Sequence, residues 1–228
     1  MRIQHIVMII LVIVSGIFYF NLTDADSDRE TRKVLRILDG DTLELDGEQK
    51  TRLLGINTPE TSMAFYEEAT KLLENMVKGK LIEIESSGTD KYGRTLAHVF
   101  INNQHANEEI LKQGLGTLYY YEKDEYYDSL KDAEEFARVN ELGIWKKSLN
   151  KDCIELIELK TDEPEKLILE NNCNFDMEIL FKDDASHIYR ETISGNSIFT
   201  ETFSHIWNTN GDSIYIRDSE GLLLFYRY

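Results

Sequence analysis

Three short pieces between residues 39 and 94 decide the fold: DGDT (39–42), RLLGINTPE (52–60) and DKYGR (90–94). Each lies at the end of an apolar, strand-like run. Residues 34–38 and 42–45 are rich in branched side chains at alternating positions, and Asp39-Gly40 is a turn pair between them. Asp46-Gly47 turns the chain again, residues 50–54 return, and Pro59 ends the third strand. This spacing predicts a β-meander with two tight turns.

Further along, Phe65, Ala69, Leu72, Leu73, Met76 and Val77 share one helical face, and Gly79 stops that helix. Residues 81–85 and 96–101 read as two more strands. A short helix over 107–113 has Asn107 as its expected N-cap and Gly114 as its stop, and a longer helix covers 124–142. Five strands with a few short helices predict a small closed barrel of the OB type over residues 32–148.

The three pieces supply carboxylates, an amide and two guanidinium groups at strand ends. Oxygen ligands of this kind suit a hard cation such as calcium. Two arginines suit a phosphate whose charge grows during reaction. A glutamate within hydrogen-bond reach of a water can take its proton. Taken singly, each piece has a plainer reading. Asp39-Gly40-Asp41 could be a hairpin turn, Arg52 could pair with Glu60 on the strand surface, and residues 90–94 could be a solvated loop. Their joint occurrence at strand ends points instead to a metal-dependent phosphodiesterase site.

Composition limits the setting. The 228 residues carry 25 Lys+Arg against 42 Asp+Glu, a net charge of −17, and both halves of the chain are acidic. Such a chain does not hold nucleic acid tightly by overall charge, so any basic contact must be local. The two cysteines, Cys153 and Cys173, are too few for a disulfide framework and lack zinc spacing; they either pair or remain two buried thiols. Residues 6–22 are almost wholly apolar, with Arg2 and His5 before them and four acids at 24–30 after them. That pattern predicts a transmembrane helix with the rest of the chain outside, as an uncleaved anchor in preference to a cleaved signal over residues 1–22. Residues 23–31 then form a linker.

From about residue 34 to Trp145 the chain resembles the staphylococcal nuclease (thermonuclease) family. The likeness rests on DGDT, RLLGINTPE and DKYGR in that order, on Asn107 with Gln113-Gly114-Leu115, and on Leu142-Gly143-Ile144-Trp145. It implies an OB-fold and calcium-dependent hydrolysis of DNA and RNA. Position by position, it implies that Asp41 and the Thr58 carbonyl bind calcium, with Asp39 behind them. Asn57 stands where the best-known members carry a second aspartate ligand. Glu60 would orient or deprotonate the attacking water, and Arg52 and Arg94 would bind the phosphate. Lys91, Tyr92 and Tyr120 match positions that line the nucleotide pocket. The segment after Glu60 is also shorter than the loop usual there.

Residues 153–228 carry short strand-like runs separated by turns such as Asn210-Gly211-Asp212, the pattern of a β-sandwich. They resemble, more loosely, the immunoglobulin-like lamin-tail domains, which implies a binding or tethering role toward a partner that the sequence does not name. His187, His205 and Trp207 read as structural. The resulting expectation is a membrane-anchored or secreted nuclease acting on DNA or RNA, with an accessory binding domain. The alternative is a non-catalytic nucleic-acid or envelope-binding protein on a degenerate nuclease barrel. The set Asp41, Arg52, Glu60 and Arg94 separates the two, and it is complete.

Overall fold

The expected alternation holds in the third strand, but a register shift between Val34 and Arg36 leaves both Leu35 and Arg36 exposed in the first. The computed structural model describes residues 29–120, 122–185 and 187–228. The apolar stretch 6–22, on which the membrane-helix expectation rests, lies outside them. Among the described residues no helix is long and apolar enough to cross a membrane.

The first lobe contains β1 (Glu30–Ile37), β2 (Thr42–Leu45), β3 (Gln49–Leu53), β4 (Ile56–Asn57), β5 (Leu81–Thr89), β6 (Thr95–Ile101), β7 (Gln104–His105) and β8 (Thr117–Leu118). Its helices are α1 (Tyr66–Val77), α2 (Ala106–Lys112) and α3 (Tyr127–Val139), followed by a 3-10 turn, Gly143–Trp145. The main sheet runs β3-β2-β1-β5-β6-β7, and a parallel pairing of β3 with β6 closes the first five strands into a barrel. That closure fits the OB-fold expectation. Val34, Leu43, Leu45, Leu53, Ile84, Ala97 and Val99 fill the core, all fully buried. Each large aliphatic side chain so buried contributes roughly 1.5–3 kcal/mol of transfer free energy.

Register decides which side chains leave this core. On β3, Thr51 and Leu53 are buried, so Arg52 points outward between its partners Thr42 on β2 and Leu96 on β6. The β3–β4 corner depends on Gly55, whose φ is 80° and whose added Cβ would lie 2.4 Å from the Tyr120 ring. Asn107 departs from expectation. His105 holds the N-cap position of α2, and Asn107 lies inside the helix, fully buried. Its amide donates to Leu54 O at 2.8 Å and Ala97 O at 3.3 Å, and its Oδ1 accepts from Val99 N at 3.0 Å. It locks the end of β3 to β6, a role that a partner 53 residues distant hides from local sequence reading.

The second lobe is two antiparallel sheets. β9 (Ile154–Lys160), β10 (Glu165–Asn171) and β13 (Ser197–Phe203) form one, in the order β13-β10-β9. β11 (Met177–Lys182), β12 (Ile188–Ile193), β14 (Ser213–Arg217) and β15 (Leu222–Arg227) form the other, in the order β12-β11-β14-β15. Leu167 and Leu169 of the first sheet share a core with Met177, Ile179, Phe181, Ile214 and Ile216 of the second, and Trp207 is buried with them. Cys153 and Cys173 form a disulfide at its margin.

The lobes are not linked by a free tether, and Thr31–Tyr228 is one compact unit. Ala137, Ile144 and Trp145 of the first lobe share an apolar cluster with Tyr215 and Leu222 of the second, and Phe225 packs against it. Segment 146–148 pairs alongside Leu222, which donates to Lys146 O at 2.8 Å and accepts from Ser148 N at 3.0 Å. Below this cluster Arg227 binds the buried carboxylate of Glu134 through both terminal nitrogens, and Glu134 accepts from Leu118 N at 2.7 Å.

Candidate active site

The turn between β1 and β2 places Asp39 and Asp41 beside the end of β3. Asp39 Oδ1 accepts from Asp41 N at 3.0 Å. Burial and the neighbouring Asp41 charge raise the Asp39 carboxyl above its usual range. Gly40 makes room for this turn, because a Cβ there would sit 2.7 Å from the Ala69 Cβ and 2.8 Å from Thr58 Oγ1.

Asp41 is the hub. Its Oδ1 accepts from Thr42 Oγ1 at 2.9 Å and pairs with Arg52 Nη1. Its Oδ2 accepts from Thr58 N at 3.1 Å and Thr58 Oγ1 at 3.3 Å. Arg52 Nη2 reaches Asn57 Oδ1 at 3.0 Å and Ile56 O at 3.2 Å. Arg94 enters from the 90–94 turn. Its Nε donates to Asp90 Oδ2 at 2.7 Å and its Nη1 to Thr42 Oγ1 at 3.4 Å. The two guanidinium groups therefore converge through Asp41 and Thr42 on one half-buried spot. Arg52 pairs with Asp41, not with Glu60.

The remaining expected residues are spread around this centre. Glu60 is exposed, two residues past Thr58, and its carboxylate has no hydrogen-bond partner among the described residues. Lys91 and Tyr92 stand in solvent on the 90–94 turn, with the Lys91 ammonium 5.1 Å and the Arg94 guanidinium carbon 5.5 Å from the Tyr92 ring centroid. Tyr120 is turned inward: its hydroxyl donates to Asp124 Oδ1 at 2.8 Å and its ring packs edge-on to Tyr127.

The profile of the family described as "Staphylococcal nuclease homologue" matches residues 50–147, which include Arg52, Asn57, Thr58, Glu60 and Arg94. An uncharacterized endonuclease of Haemophilus influenzae is 34% identical over 141 residues, 59% of this chain and 78% of the relative. A thermonuclease of Staphylococcus intermedius is 30% identical over 154 residues, 62% of this chain and 92% of the relative. The chain belongs to the staphylococcal nuclease family. It is a nuclease-type hydrolase. An endonuclease of Bacillus subtilis, YncB, is 34% identical over 127 residues, 50% of this chain and 60% of its own length.

Sequence reading missed the second lobe's approach to this nuclease site. Asn57 Nδ2 donates to Asp184 O and Ala185 O, both at 3.2 Å. Asp184 is itself held by Tyr215 Oη at 2.6 Å and Ser213 Oγ at 3.0 Å. No local signal announces a contact across 127 residues. The one clue was the amide at position 57, a hydrogen-bond donor where an aspartate offers none.

Proposed function

We propose that this chain is a calcium-dependent nuclease that hydrolyses phosphodiester bonds of DNA or RNA outside the cytoplasm. One observation carries the reading: Arg52 and Arg94 converge on Asp41 and Thr42, with the unpartnered Glu60 carboxylate two residues beyond Thr58. Asp41, Asn57 Oδ1 and the Thr58 carbonyl, with Asp39 behind them, would hold the metal. This donor set fits a hard cation. Asp39 and Asp41 repel one another in a half-buried turn, and a cation relieves that repulsion. Among the described residues no three acidic, histidine or cysteine side chains form a metal cluster, so the amide and carbonyl oxygens are needed. Bound calcium supplies charge that offsets the phosphate's. Arg52 and Arg94 donate to the phosphate oxygens as negative charge builds on them, and Glu60 takes the proton of the attacking water. Lys91 and Tyr92 border the nucleotide beside Arg94, whereas Tyr120, turned inward onto Asp124 and Tyr127, would have to swing out to join them.

The setting follows from two features. The Cys153–Cys173 disulfide suits an oxidising compartment. The apolar stretch 6–22, basic before and acidic after, suits a membrane anchor or export signal that leaves the nuclease outside. The second lobe, similar to lamin-tail domains in its strand pattern, would bind an envelope or nucleic-acid partner.

Cleavage of single-stranded DNA, duplex DNA and RNA by residues 29–228, with calcium and with chelator, tests this. Activity should require calcium. Arg94→Ala or Glu60→Gln should cut kcat by about 10²–10³ without lowering thermal stability by a comparable degree. A wild-type protein inert on every substrate in calcium would leave the binding-protein reading.

A further inference from the structure

The β12-β11-β14 sheet shows its outer face to the nuclease site. Met177, Ile179 and Phe181 on β11 and Ile214 and Ile216 on β14 point into the second core. The alternating residues Leu180, Lys182, Tyr215 and Arg217 therefore point the other way. Pairing sets Leu180 between Arg190 and Arg217, and Lys182 beside Tyr215. This face and segment 57–64 enclose a cleft of about 630 Å³, lined by Asn57, Thr58 and Pro59 of the first lobe and by Lys182, Arg190 and Arg217 of the second.

Lys182 is the telling residue. It is 8% exposed, yet its ammonium has no hydrogen-bond or ion-pair partner among the described residues, only the Tyr215 ring at 5.2 Å. The neighbouring carboxylates are engaged elsewhere: Asp183 with His187 at 2.6 Å, and Asp184 with Tyr215 and Ser213. Burial lowers the Lys182 pKa and the Arg217 charge lowers it further, while the charges of Asp183, Asp184 and Glu60 favour the ammonium. An ammonium buried without a partner destabilises a fold, so its presence calls for a ligand. Arg217 spends one nitrogen on Ile144 O and keeps further donors. The cleft also has Glu178, Glu191 and Asp218 on its walls. Asp218 is tied to Ser148 and Asn150, and the two glutamates are exposed.

We infer that the second lobe forms the far wall of the substrate cleft, and that Lys182, flanked by Arg217, binds a backbone phosphate of single-stranded nucleic acid next to the scissile one. This rests on the nuclease reading above. Asn57 and Thr58 line the cleft, and Arg52 Nη2 reaches Asn57 Oδ1 at 3.0 Å, so the cleft adjoins the candidate active site. Its volume is that of a nucleotide or two, and a single strand can bring its backbone to a side chain as buried as Lys182.

The test compares wild type, Lys182→Met, Lys182→Gln and Lys182→Arg in the 29–228 chain, with a fluorescent single-stranded 12-mer and a mononucleotide aryl phosphodiester. Lys182→Met should raise KM for the 12-mer about tenfold, with the loss in KM rather than kcat, and by more than for the short diester. It should lower the salt dependence of 12-mer binding by about 0.7 in log–log slope. Lys182→Arg should recover most of the loss. The thermal midpoint of Lys182→Met should equal or exceed that of wild type. Unchanged KM and salt slope in a folded Lys182→Met or Lys182→Gln protein would overturn the inference, as would a fall in stability with binding intact. If wild type cleaves neither substrate, the nuclease reading falls. Anisotropy titration of the 12-mer then decides on Lys182 alone: weaker binding by the variants upholds it, and equal binding overturns it.

Discussion

Asn57 gives its amide oxygen to Arg52 and its amide nitrogen to two carbonyls of the second lobe. An aspartate can do only the first. Asn57→Asp should lose both donated bonds and set a carboxylate against carbonyl oxygens, lowering metal-free stability by about 1–3 kcal/mol. The same change adds a charged ligand and should tighten calcium binding. Thermal unfolding in chelator and calorimetric calcium titration measure the two effects separately. A variant as stable as its parent would mean that the bonds to Asp184 and Ala185 contribute nothing. At this scale the sequence was informative where a residue's role is local. Asp39, Asp41, Arg52 and Arg94 fall at strand ends, and the strands set their directions. Asn107 was misread because an asparagine before a helical run resembles a cap, and only the closed barrel puts Leu54 and Ala97 over it.

The loop between β11 and β12 carries a carboxyl, Asp184, that titrates well above its usual range. Asp184 has its carboxyl pushed up to about 6 from 3.8, chiefly by burial, with Arg227 and Tyr215 opposing. In the unfolded chain this group loses its proton near 4, whereas in the folded chain it keeps it to about 6. The folded state thus binds more protons across that window, so the group's contribution to stability is lost as pH rises through it, by about 3 kcal/mol in all. Asp184→Asn should remove this component. The difference between wild-type and variant denaturant curves, followed from pH 4 to about 7, should shrink at the acid end and grow toward neutrality; a constant difference would refute the titration. Elsewhere in the same lobe, the disulfide closes a separation of 20 residues, and serines at both cysteines should cost roughly 3 kcal/mol. Denaturant unfolding of the double variant measures this. Strand periodicity revealed most elements here, but β13 reads SIFTETF, with polar residues on both faces, and shows itself only through its pairing with β10. Spacing likewise left the pairing of Cys153 and Cys173 open, since geometry alone decides it.

The whole molecule is joined at a shared core that no single segment announces. Trp145 looks like the end of a nuclease barrel in sequence, yet it is fully buried and packs against Tyr215 and Phe225, 70 residues and more downstream. Arg227 reaches Glu134 across the same boundary. Arg227→Ala should leave a buried carboxylate without its cation and cost about 3–5 kcal/mol, whereas Arg227→Met with Glu134→Gln should cost far less. Equilibrium unfolding of both would show a single transition if the lobes are one cooperative unit, and two transitions if they are not. The shared core also has a consequence for biogenesis. Translation delivers Trp145 long before Leu222 and Phe225, so the seam stays open until the last strand has emerged. A chain cut short before β15 keeps its motif residues but cannot bury Trp145.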